Sequence, residues 1–265
     1  LYMLDTRLEG RDEPVQWISP DDPSSPLNVL NILEMQDTSR RLLGDKQYNW
    51  LTDKMRNSNA QWQIIGQQVM MAPLEIAGVP FNADQWDGYA YARERFLDFV
   101  KNEEVENLVV LTGDIHTSWA NDIPMSDYNP LLGTGTAGVE FVCTSVTSPG
   151  LDIPLAAEVV MLNNPHMKYV DLMQKGYMVL HVDRYKTQGE WYYTDVTDAN
   201  SEESFGAAYM VEHQRPYMQY VNHPIENIGH LALPAPPFPI NYLIELQKTE
   251  ENGNLLGVYP VSYTH

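Results

Sequence analysis

The sequence predicts an α/β fold built on a mixed sheet, and three observations carry that prediction. The runs at positions 1–5, 61–69 and 108–111 read as core strands, the last a continuous apolar run with β-branched residues that suits burial on both faces. Between them lie segments whose apolar residues recur at helical spacing, so the order is strand, helix, strand, helix, strand. After His116 the pattern changes to shorter strand-like runs separated by turn residues, as in an antiparallel meander.

Each element has its own justification. Residues 1–5 read as a core strand that ends at Asp5 and Arg7, and the chain is expected to begin in mid-domain. A long segment to about Leu42, with Pro14 and the run Ser19-Pro20-Asp21-Asp22-Pro23-Ser24-Ser25-Pro26, has loop chemistry. A helix is expected from Gly44 to about Asn57, with Tyr48, Leu51 and Met55 on its inner stripe and Asp45 as its N-cap. A second helix is expected over Tyr89 to Asn102, with Tyr89, Ala92, Phe96, Phe99 and Val100 facing inward. Beyond His116, strands are expected at 118–124, 138–148, 176–182 and 189–194, with a helix and a loop at 163–169 between the second and third. Residues 197–222 carry no clear period, and 231–239 form a Pro-rich extended connector.

Composition sets limits on function. The 265 residues carry 16 Lys and Arg against 36 Asp and Glu, a formal charge of −20. Such a surface repels a phosphate backbone, so nucleic acid is an unlikely partner, and an anionic substrate needs local cations or bound metal. No apolar run is long enough for a membrane span. The one cysteine, Cys143, excludes an internal disulfide and reads as an inert thiol in a strand.

The candidate chemistry lies in Leu111-Thr112-Gly113-Asp114-Ile115-His116-Thr117-Ser118-Trp119. A carboxylate and an imidazole follow a buried strand. In extended backbone, two positions apart, Asp114 and His116 would point the same way, with Gly113 allowing a sharp turn and the close approach of a ligand. Oxygen and imidazole donors together can hold a metal ion, although a Gly-Asp turn with a hydrogen-bonded His is also common in proteins that bind none.

This stretch does not stand alone. With it come Leu4-Asp5-Thr6-Arg7, Leu43-Gly44-Asp45-Lys46-Gln47, Trp86-Asp87-Gly88-Tyr89, Phe141-Val142-Cys143-Thr144-Ser145-Val146-Thr147-Ser148, Asn164-Pro165-His166-Met167-Lys168 and Lys175-Gly176-Tyr177. In this order and spacing, residues 1–196 resemble the carboxyl-terminal half of a PhoD-type alkaline phosphatase, within the calcineurin-like metallophosphoesterases. Residues 197–265 would be a carboxyl-terminal extension.

The resemblance implies a four-layer αββα sandwich and hydrolysis of phosphomonoesters and phosphodiesters by a metal-bound hydroxide. It implies iron and calcium, with other divalent metals able to substitute, and an extracellular, cell-surface or periplasmic setting. Asp114 would be a calcium-side ligand and His116 an iron ligand. Arg7 and His166 would contact the substrate phosphate, and Trp86, Asp87 and Tyr89 would rim the pocket, although a role in starting the second helix explains those three equally well. The family's remaining ligands lie upstream of the Asp-x-Arg strand, so this chain carries half of the dinuclear site and the amino-terminal half of the domain is the expected partner. The rival is a non-catalytic phosphatase-like module in a cell-surface assembly. A nuclease of the same superfamily is disfavoured by the charge. Trp119 is expected to pack, and His213, His223, His230 and His265 to be structural or exposed.

Overall fold

The computed structural model describes residues 1–15, 27–198 and 200–226. The run 19–26 and the connector at 231–239 lie outside them, as do His230 and His265.

The central element is β5, Leu108–Thr112. It lies between β2 (Gln63–Gly66) and β7 (Thr134–Val142), parallel to both, with Val110 opposite Ile65 and Glu140. Outside β2 runs the short parallel strand β1 (Tyr2–Met3). Beyond β7 come β6 (Ser118–Asn129) and β8 (Met167–Asp171), giving the six-stranded order β1-β2-β5-β7-β6-β8. Only β6 runs against the rest. A second, four-stranded antiparallel sheet has the order β12-β11-β10-β9, from β9 (Gly176–Val182), β10 (Lys186–Tyr193), β11 (Ser204–Glu212) and β12 (Arg215–Val221). A small hairpin joins β3 (Glu75–Ile76) to β4 (Val79–Pro80).

The apolar runs explain the layers. Leu108 and Val110 of β5 pack with Ile65 against α2 (Gly44–Arg56) and α3 (Ala90–Asn102), through Leu51, Met55, Phe96, Phe99 and Val100. Val109 faces the other way and packs with Val139 and Phe141 against Trp191, Tyr193 and Val211 of the second sheet. One strand thus serves two cores, which is why its apolar residues run without alternation. The sheets approach each other closely at Gly189, where an added Cβ would lie 2.5 Å from the Phe141 ring. Two helices are peripheral: α1 (Leu27–Met35) and α4 (Ala156–Asn163), the latter with no buried residue. The mixed α/β prediction holds, and helices, first sheet and second sheet form three layers.

Several boundaries differ from those expected. Asp45 does not cap α2: the N-cap is Leu43 without a side-chain bond, and Asp45 lies in the first turn, paired with Arg95 at 3.2 Å. The second helix begins with a 3-10 turn, Trp86–Tyr89, and becomes α-helical at Ala90. β7 stops at Val142, so Cys143 to Ser148 are not strand. Half of the loop expected at 163–169 is β8, and 197–222 supply β11 and β12, which extend the second sheet beyond residue 196. Residues 1–225 form one compact unit.

Candidate active site

Parallel strands β1, β2, β5 and β7 end on one edge, the usual place for a ligand in an open α/β sheet. Their trailing residues are tied together. Thr6 donates from its backbone N–H and its hydroxyl to Gln68 Oε1, each at 2.7 Å, and Gln68 Nε2 returns a bond to Leu4 O at 2.9 Å. The Asp5 carboxylate accepts the N–H groups of Leu8 and Arg7, both at 2.9 Å. These two bonds, Leu8 first, hold its carboxyl below the usual carboxylate range. The local turn thereby aims Arg7 outward.

Arg7 Nη1 lies 2.5 Å from Asp84 Oδ2 and 3.9 Å from Asp114 Oδ2. Arg11, whose side chain is buried, also binds Asp84, through Nη2. The bond to Asp84 and the nearby charge of Asp114 raise Arg7 further above its already high pKa. Arg7 and Asp114 therefore come from different strand ends to one exposed spot.

Extended geometry does not hold after Thr112. Asp114 and His116 both have left-handed backbones, with φ 65 and 63. The Ile115 N–H bonds to Gly113 O at 2.7 Å, closing a three-residue turn centred on Asp114. This positive-φ form of the γ-turn is rare and strained, and a non-glycine residue in the left-handed region costs roughly 1–2 kcal/mol. The sharp turn is made by Asp114, not by Gly113, beside which an added Cβ would meet no described atom within 4 Å. Asp tolerates such a φ because its short polar side chain can bond locally. Strain of this kind persists only where surrounding structure imposes it.

Asp114 and His116 are exposed, and the His116 ring makes no hydrogen bond among the described residues. An exposed carboxylate, paired only loosely with Arg7, and an exposed imidazole beside an open glycine fit a metal ion in donor type. They do not complete a site: metals of this kind take about four or more ligands, and among the described residues no three His, Cys, Asp or Glu side chains converge.

The other expected site residues lie elsewhere. Trp86, Asp87 and Tyr89 are buried at 1%, 2% and 0% exposure and are no pocket rim. Trp86 Nε1 donates to Gln67 Oε1 at 2.9 Å, and Tyr89 Oη donates to Asp12 O at 2.6 Å. Asp87 pairs with Arg93 at 2.5 Å and accepts the Leu74 N–H at 3.0 Å. Burial pushes its carboxyl up against the pull of Arg93. All three fix the start of α3 in the core. His166 is also buried, with Nε2 donating to Pro73 O at 2.8 Å, and burial lowers its pKa to about 4. None of its contacts among the described residues reaches Arg7, Asp114 or His116. Cys143 is half-buried, and burial raises its thiol pKa, in keeping with an unreactive group.

Two residues that matter here escaped sequence reasoning. Asp84 holds both Arg7 and Arg11, but 77 positions separate it from Arg7 and no spacing reveals the link. Glu140 is fully buried, and its carboxylate accepts Met71 N at 2.7 Å, Ala72 N at 2.9 Å, Thr112 Oγ1 at 2.7 Å and Asn121 Nδ2 at 3.3 Å. It clamps the end of β5 to β6 and to the loop after β2. Its signal was visible as a lone acid inside the apolar run Val139-Glu140-Phe141.

Comparison with known proteins places the chain in a family. The family model for PhoD-like phosphatase matches residues 1–191. Alkaline phosphatase D of Bacillus subtilis strain 168 is 34% identical over 172 residues, which cover 63% of this chain and 28% of that protein. A solved structure of PhoD superposes with a TM-score of 0.70 at 27% identity, over 85% of this chain and 42% of that one. The chain thus spans less than half the length of either relative. With some seven-tenths of its residues matched by the family model, the chain belongs to the PhoD-like phosphatase family.

Proposed function

We propose that this chain supplies one part of a metal-dependent phosphoesterase centre that hydrolyses phosphomonoesters and phosphodiesters within a four-layer sandwich. The observation that carries this reading is the strained turn at the end of β5, which presents Asp114 and His116 to solvent with Arg7 3.9 Å from Asp114. The carboxylate suits a hard calcium ion and the imidazole suits iron. When bound, such ions supply positive charge and an activated water to the phosphate. Arg7 contributes donors for a phosphate oxygen, and Asp84 sets the direction of its guanidinium. Asp114 faces Arg7, so a bound anion would be shared between cations and not left against a bare carboxylate. His166 has no part in this arrangement, because its Nε2 is committed to the Pro73 carbonyl.

The remaining donors belong to residues outside those described, on the amino-terminal half of the same domain. Support comes from the 28% share of the Bacillus relative that this chain spans. An extracellular, cell-surface or periplasmic setting accompanies this reading. No helix among the described residues is long and apolar enough to cross a membrane.

The test is the iron and calcium content of native protein per copy of this chain, for the wild type and for Asp114→Ala. Near-stoichiometric iron and calcium in the wild type, with calcium and turnover lost in the variant, supports the proposal. A metal-free wild type whose Asp114→Ala form behaves identically sinks it and leaves the non-catalytic module.

A further inference from the structure

The left-handed His116 is held by its backbone as well as presented by it. Its carbonyl oxygen accepts Lys175 Nζ at 2.9 Å and lies 3.2 Å from Thr144 Oγ1. The Thr144 hydroxyl is also 2.8 Å from Gln174 O, and it has one proton to give. Lys175 therefore makes the full bond, a charge-assisted one. Its own backbone is pinned. Thr194 N donates to Lys175 O at 2.9 Å, and the next residue, Gly176, donates to Ser145 O at 3.3 Å. The preceding turn is shaped by Asp171, which accepts the N–H groups of Met173 at 3.0 Å and Gln174 at 2.7 Å.

The grip falls where the chain has freedom to lose. Before His116, the γ-turn fixes Asp114. After it, Ser118 enters the sheet opposite Asp171. The peptide plane between His116 and Thr117 lies between these two constraints, and its oxygen is the atom that Lys175 holds. Holding that plane fixes the His116 backbone conformation, and the backbone conformation restricts which rotamers the imidazole can adopt. The rest of the ammonium is not spent on another described hydrogen bond.

We propose that Lys175 is a positioning residue: by holding the His116 carbonyl, it keeps the imidazole aimed at the metal position beside Asp114. This rests on the reading of His116 as a metal ligand. Partners of this kind, which touch a ligand but not the metal, are worth about 10–100-fold in metal affinity.

The experiment compares the full-length wild type with Lys175→Met, Lys175→Arg and His116→Ala. Each is titrated with Co²⁺, read by visible absorption, and assayed for KM and kcat on p-nitrophenyl phosphate. The expected result is about tenfold weaker Co²⁺ binding in Lys175→Met, with an unchanged melting temperature and most of the affinity restored in Lys175→Arg. A Lys175→Met protein that binds Co²⁺ like the wild type, while His116→Ala does not, overturns the inference and leaves the metal reading intact. A raised KM at unchanged Co²⁺ affinity also overturns it, since Lys175 would then act on the substrate. If His116→Ala binds Co²⁺ as the wild type does, the ligand reading fails and the inference falls with it.

Discussion

β5 and the five residues that follow it are one continuous stretch of chain held by different physics. Residues 108–112 are buried, extended and hydrogen-bonded on both sides, and their stability comes from apolar packing against two layers. Residues 113–117 carry two left-handed backbones and two exposed polar side chains, and packing contributes little to holding Asp114 and His116. They are held by contacts that reach in from elsewhere: Gln68 O accepts the Gly113 N–H, and Lys175 donates to His116 O. The strand could keep its shape without the turn. The turn cannot keep its shape without the strand and the loops around it. The proposed site thus lies on a turn held from outside, against a strand packed on two faces.

Substitutions on the two sides should separate these roles. The largest effect is expected for Asp114→Ala, with turnover down by at least roughly 10²–10³-fold, comparable to the loss of a main electrostatic contact. Its melting temperature should stay near that of the wild type. A variant that unfolds would break the comparison, because the turn would then be part of the core. Next comes Leu108→Ala, at the first residue of β5 and fully buried. A loss of about 2–5 kcal/mol is expected in denaturant titration, with turnover per folded molecule unchanged. Equal losses of stability and specific activity would show that strand and turn are one unit.

A third test uses pH. Burial lowers His166 to about 4, so the unfolded chain takes up its proton first. Stability should be fully present above pH 6.5 and fall as pH drops toward 4, by about 3 kcal/mol from this residue. His166→Gln should flatten that part of the melting profile. An unchanged slope would assign the acid sensitivity to other groups. The smallest effect is expected for Arg7→Ala, whose surface pair with Asp84 contributes about 0–1 kcal/mol to stability. The change to watch is KM for a phosphate ester, up by about tenfold for the loss of one charge-assisted contact. A KM equal to the wild type would remove Arg7 from the substrate side.

The same contrast decides what could be read from the sequence. β5 was legible because burial on both faces leaves a continuous apolar run, and α3 because its inward stripe recurs at helical spacing. The position of Asp114 and His116 after a buried strand was legible as well. Their backbone was not, since the reading continued the strand geometry past Thr112 and no local residue announces a γ-turn at an Asp. Strands β8 and β12 lie at sheet margins and β11 beside one, their sequences mix charged or polar with aromatic residues, and Pro216 stands within β12, so neither alternation nor continuity marked them. Trp86 and Tyr89 carried family weight as rim residues, but large aromatic side chains beside a helix start are as easily core, and here they are. Asp84 and Lys175 act through tertiary contacts alone, which spacing cannot encode.

The approach of Gly189 to the Phe141 ring has a further meaning. The gap between the two sheets is set there by the absence of a single carbon, so position 189 works as a shim of zero thickness. A methyl group inserted at that point must displace the Phe141 ring or part β10 from β7, and Phe141 stands three residues before Thr144, whose hydroxyl lies beside the His116 carbonyl. A substitution far from any reacting group would then tilt the platform on which His116 rests. For anyone diversifying this scaffold, Gly189 is a position to leave alone when the two sheets are to keep their spacing.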